Sequence, residues 1–245
     1  PLSTLTLVQS NGATFSSAVT VDTAVVLSNT VAGQTIRFAD NLSTPVLTTT
    51  ANGYNLELLG STTHVSAANT ATTFLNTGNL VLGNGAGDTL TFAGGLTATA
   101  PAAISAAGTV NTTNKPMSLG DSDTALTLTA NTTLSTGSGD ITFGGTVNGA
   151  TSLTLNSTGV TTLQAAVGST AALSSVTTNA GGTLVMNGGV VNTTGLQSYG
   201  EAATLGAATT LTSTGAGAIT FGGTLNGAQT LAVNTTGATT FTGAV

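Results

Sequence analysis

One long segment occurs twice, and it restricts the possible folds more than any other feature. Ile141–Val167 reads ITFGGTVNGATSLTLNSTGVTTLQAAV, and Ile219–Val245 reads ITFGGTLNGAQTLAVNTTGATTFTGAV. The copies align without a gap, and most of their positions are identical. The differences are mild: Val147 against Leu225, Leu155 against Val233, Leu163 against Phe241. Asn148-Gly149 and Asn226-Gly227 keep the same turn signal. A shorter unit lies inside, Thr-[Phe/Leu]-x-small-small-apolar. It appears as TFSSAV at Thr14, TFAGGL at Thr91, TFGGTV at Thr142, TLQAAV at Thr162, TFGGTL at Thr220 and TFTGAV at Thr240. With weaker copies included, its spacing averages about 20 residues, the period of a stacked repeat. The long repeat then reads as about four short ones.

The residue types decide between helix and strand. Thr, Val, Leu, Ile and Phe suit strands, and Gly and Asn suit turns. There are 56 threonines and 33 glycines in 245 residues. Charged side chains make up 4%, so the long polar helix formers Glu, Lys and Arg are nearly missing. The chain is all-β, and its period predicts a parallel β-helix (β-solenoid) with coils of about 20 residues. A unit that short cannot bury a core alone, but stacked copies can. About 12 turns at ~4.8 Å would make a rod near ~58 Å long. The whole chain, 1–245, reads as a single solenoid domain, with an irregular loop expected near 101–116, where Pro101 and Pro116 break the spacing. Phe15, Phe92, Phe143, Leu163, Phe221 and Phe241 are the expected core anchors. Asn148, Gly149, Asn226 and Gly227, with the Asn-Gly pairs at 11–12, 52–53, 84–85 and 187–188, are the expected corners. The rival is an antiparallel sandwich, because Asn-Gly is also the usual hairpin signal. The chain stops at Val245 inside the repeat. An uncapped solenoid end exposes a strand edge, so the expectation is further coils or stacking on another molecule.

The same composition closes off several functions. Two basic residues in the chain cannot neutralise a run of phosphates, so no nucleic-acid partner is expected. No stretch of about 18 apolar residues occurs, so no membrane insertion is expected. Zero cysteines and one histidine leave no thiolate nucleophile and no multi-imidazole site. No enzyme site and no cofactor motif is read.

The copies of TFGGTVNGA, and the stretch from Thr194 to Leu211 (TGLQSYGEAATLGAATTL), resemble the repeat regions of large bacterial surface proteins, the filamentous-haemagglutinin-like and autotransporter-like adhesins. The resemblance covers most of the chain and lies in repeat style and composition. It implies a right-handed parallel β-helix, an extracellular or cell-surface location, and a role as adhesin stalk or matrix fibre. The partners it implies are other copies of the chain, end to end or side by side, and a host or neighbouring cell surface. The Asn-Pro-Asn motifs of the family's secretion domain do not occur in this sequence.

A few residues invite a chemical reading. Asp121 and Asp123 are the one close carboxylate pair, and Asp88 sits in a Gly-rich segment similar to a calcium-binding nonapeptide. All three are weak metal candidates against the simpler reading of exposed turns. His64 has no acidic or thiol partner in its segment. Sequons at Asn41, Asn111, Asn131, Asn156, Asn192 and Asn234 follow from an Asn- and Thr-rich composition. Tyr54 and Tyr199 read as packing residues with exposed hydroxyls. Thr-x-Thr pairs at 4/6, 89/91, 97/99, 127/129 and 212/214 suggest an ice-binding face, but their linear spacing is irregular. The leading expectation is a structural segment of a secreted or surface-displayed solenoid; the alternative is an ice- or carbohydrate-binding module.

Overall fold

A computed structural model describes residues 1–245. The chain winds into about 11 stacked coils of ~22 residues, all β, with parallel sheets. At ~4.8 Å per coil this is a rod about 53 Å long. Every strand pair is parallel, as in Ile36–Leu56, Leu56–Leu80 and Leu80–Ile104. The sandwich rival, which needs antiparallel hairpins, is therefore excluded.

Each coil has three sides. The first face carries Ala13–Phe15, Thr35–Phe38, Asn55–Leu58 and Asn79–Leu82, and continues to Leu231–Asn234. The second carries Leu42–Thr44, Thr62–Val65 and Thr89–Phe92 through to Thr239–Phe241. The third carries Leu2–Leu7, Val46–Thr49, Leu96–Ala98 and Ile141–Phe143 through to Leu225–Asn226. Successive residues of a strand point to opposite faces of a sheet, so apolar residues at alternate positions fill the interior. Inward rows then stack in register. On the first face Leu56, Leu80, Ile104, Leu126 and Val147 lie one above the next. On the third, Leu119, Phe143, Leu163 and Met186 do so. These rows merge into one cluster of 45 buried residues.

The hexad has a direct structural meaning. Its Phe or Leu ends a strand pointing inward, its two small residues turn the corner, and its last apolar residue opens the next side. The small pair is required because each corner lies on the corner of the coil before. A Cβ on Gly145 would run into the backbone oxygens of Thr124 and Asp121.

The long repeat is out of phase with the coil. From Ile141 the third-face rungs lead through Thr161 and Leu184 to Ala203, three full coils on, and Ile219 lies two further sides along. Ile141–Phe143 therefore lies on the third face and Ile219–Phe221 on the second. One sequence serves two different sides because each side asks for the same thing: an inward-alternating strand and a small corner. The repeating structural unit is thus a single side with its corner, and the long repeat does not resolve into four coils.

Two expectations need correction. The irregular loop near 101–116 is largely the strand Ala103–Thr112, which bends from the first face to the second at Gly108, φ 76°. The prolines that suggested a break flank it. Pro101 is buried and accepts a hydrogen bond at its carbonyl from Thr124 Oγ1, and Pro116 precedes Met117–Leu119. The second correction concerns the Asn-Gly corners. Gly12, Gly149 and Gly227 adopt the left-handed region, at φ 92°, 136° and 119°. Gly53, Gly85 and Gly188 do not. In two of those three pairs the asparagine bonds to a side chain one coil away instead: Asn52 to Asn29 at 3.0 Å and Asn187 to Gln164 at 2.8 Å.

Candidate functional site

The expected core anchors occupy the inner rows, with different degrees of cover. Phe92, Phe143, Leu163 and Phe221 are buried. Phe15 is partly buried and stacks on Phe38, centroids 4.8 Å apart. Phe221 stacks between Tyr199 at 4.8 Å and Phe241 at 5.4 Å. Phe241 itself is 40% exposed. The two corner asparagines make the same local bond, from Nδ2 to Thr146 Oγ1 and to Thr224 Oγ1, each at 3.2 Å. Asn148 is also buried, and its Oδ1 accepts the backbone N–H groups of Thr170 (3.0 Å) and Ala171 (3.4 Å), pinning the wider turn of the next coil. Asn226 is exposed, on a different side of the coil.

Two of the three candidate carboxylates, Asp88 and Asp121, are spent on the backbone. Asp88 Oδ2 accepts the N–H groups of Asn84 and Gly85, both at 2.8 Å, and so closes the Gly-rich turn on itself. Asp121 Oδ1 accepts from the N–H groups of Asp123 (3.1 Å) and Thr124 (3.0 Å). These bonds, that from Asp123 foremost, hold its carboxyl below the ordinary range. Asp123 lies exposed in the same turn. No group of three or more His, Cys, Asp or Glu side chains converges. His64 is exposed on the second face. The single salt bridge joins Arg37 to Glu57 across adjacent coils of the first face.

Both tyrosines depart from expectation. They are fully buried, hydroxyls included. The Tyr199 hydroxyl donates to Gln197 Oε1 at 2.9 Å, and Gln197 Nε2 donates to the carbonyls of Val191 (3.2 Å) and Thr212 (2.9 Å) and to Thr193 Oγ1 (3.2 Å). Gln197 looks like an ordinary surface residue in the sequence; only its inward parity on the strand reveals this interior network. Burial raises the pKa of both phenols. Glu201, 4% exposed at a corner, has an Oε2 with no partner. Burial pushes its carboxyl up, with Thr178 acting in the opposite direction.

The outward rows differ from side to side. The first face mixes Arg37 and Glu57 with Val81, Ala103 and Thr127, and bears the one shallow depression of the surface. The third carries a hydroxyl row interrupted by Val26 and Val185. On the second face Thr62, Thr89, Thr109, Thr133 and Thr154, then Thr177, Ser198, Thr220 and Thr240, stand in register on successive rungs. No known family, curated protein or solved structure matches the chain. Its surface is therefore read from its own chemistry.

Proposed function

We propose that this chain is a structural segment of a secreted or cell-surface β-solenoid protein, serving as an adhesin stalk or as a subunit of an extracellular fibre. The observation that carries this reading is the out-of-phase repeat. A sequence that fits any side of the coil can be duplicated in steps of a single side without disturbing the inner rows, which is how length is added to a stiff rod. The backbone ladders run along the rod axis and resist stretching and bending. The exterior helps lateral contact: with 4% charged residues, neighbouring rods repel one another weakly. Its partners are other copies of the same chain and the surface of a neighbouring or host cell.

Negative-stain electron microscopy of the purified chain over a range of concentrations tests the assembly, and antibody labelling of intact source cells tests the location. Rods that associate into fibres or bundles as concentration rises, with label on the outside of cells, are expected. Compact particles without elongation, or label confined to permeabilised cells, would overturn the reading.

A further inference from the structure

The second face carries the longest unbroken hydroxyl column of the three. Its outward column runs unbroken over nine rungs from Thr62 to Thr240, with Ser198 the one residue that is not threonine. Two residues along each strand a second column begins, His64, Thr91, Asn111, Ser135 and Asn156. Rungs are about 4.8 Å apart and the columns about 6.7 Å apart, so the hydroxyl column stands beside a second, shorter polar column in which Thr91 and Ser135 carry hydroxyls. Strand propensity alone would put threonine equally on all three outer faces. Instead the first face is mixed in charge and polarity, and the third, whose hydroxyl run goes from Thr73 through Thr97, Ser118 and Thr142 to Thr162, is cut short by Val26 and Val185.

The chemistry of the column is specific. Threonine is stiff at χ1, so each rung holds a hydroxyl and a methyl in a fixed place at little entropic cost. Inward and corner hydroxyls of this protein, such as those of Thr132, Thr136, Ser157 and Thr193, are spent on backbone carbonyls. The nine column hydroxyls have no protein partner and face water. No Asp, Glu, Lys or Arg interrupts either column. A rigid, uncharged row of hydroxyls and methyls repeating every ~4.8 Å, flanked by a second polar column about 6.7 Å away, favours water ordered on the same repeats, and ordinary ice repeats its oxygens at distances of this order. We propose that the second face binds ice, with the Thr62–Thr240 column as the contact row and the His64–Asn156 column beside it.

The decisive experiment uses the unaltered chain first. A solution containing it and a non-binding carrier protein is partly frozen onto a cold finger, and both are assayed in the ice. Thermal hysteresis and crystal shape are then recorded for the parent, for Thr133→Tyr with Thr154→Tyr on the second face, and for Thr127→Tyr with Thr210→Tyr on the first. Circular dichroism melts verify that each variant is folded. The expected result is enrichment of the parent in ice, faceted crystals, and loss of hysteresis in the second-face variant alone. Exclusion of the folded parent from ice, or equal loss in both variants, would overturn the proposal. If the second-face variant fails to fold, the ice partition of the parent decides by itself. Fibre formation in buffer is read separately, so the stalk reading and the ice reading can fail independently.

Discussion

Replacing Phe143 tests the interior most directly. Its ring is 1% exposed and lies on the third face between Leu119 and Leu163 in the same inner row. Phe143→Ala removes the ring from a site closed on both sides by coils. Such truncations cost about 3–5 kcal/mol, depending on how far the surroundings collapse. Here the coils are held at a fixed spacing by their ladders, so collapse is limited and the upper half of that range applies. For a chain of this length each kcal/mol moves Tm by about 2–4 °C, so a fall of about 8–20 °C is expected. Phe143→Asp costs more, because a carboxylate placed there has no partner and must be buried or force the coil open. Phe241→Ala is the internal control. It occupies an inner row too, but at 40% exposure its truncation costs only about 1–2 kcal/mol. The assay is thermal unfolding followed by circular dichroism, with hydrogen exchange to locate the loss, since contacts in a solenoid are mainly between neighbouring coils. A shift for Phe143→Ala no larger than that for Phe241→Ala would refute the reasoning.

Three further outcomes follow from the same structure. Gly145→Ala drives a Cβ into the backbone of Thr124 and Asp121 and is expected to cost about 1–3 kcal/mol by overpacking. Gly87→Ala, with open space around it, is expected to stay within about 0.5 kcal/mol of the parent, both by urea titration. The raised pKa of Glu201 means the fold prefers its neutral form. Its contribution is fully present below the unfolded pKa and is lost as pH rises through the folded value. Glu201→Gln should therefore raise Tm at neutral pH and leave it nearly unchanged in acid; a lower Tm at neutral pH would contradict the burial argument. Tyr54 and Tyr199 are the two tyrosines of the chain, both with raised pKa. Phenolate absorbance should rise later in pH than that of a free tyrosine, which is half ionised near pH ~10, and appear together with unfolding. Titration of either phenol in the folded protein would show that its hydroxyl reaches water.

Much of the architecture was legible before any coordinates. The near absence of the long polar helix formers, the 56 threonines and the hexad all point to strands and tight corners, because those choices are local. Phe92, Phe143 and Phe221 could be assigned to the interior from the hexad alone, since parity along a strand decides which way a side chain points. The expected loop at 101–116 failed for a local reason as well: prolines that flank a strand look like prolines that break one. Register was not legible, because it depends on residues one coil away. It puts the two copies of the long repeat on different sides of the rod and brings the carbonyl of Thr212 to Gln197. It also decides the outer surface. Thr-x-Thr pairs in the linear sequence look irregular, and of the five only Thr89/Thr91 belongs to the second face. The unbroken column is assembled from single residues, one from each coil, at unequal intervals along the chain. Composition and alternation thus determine that strands form, and the short period points to a solenoid. Which hydroxyls share a face is decided only by stacking, because variable corners change the residue count per coil while the ladder holds the spacing in space constant.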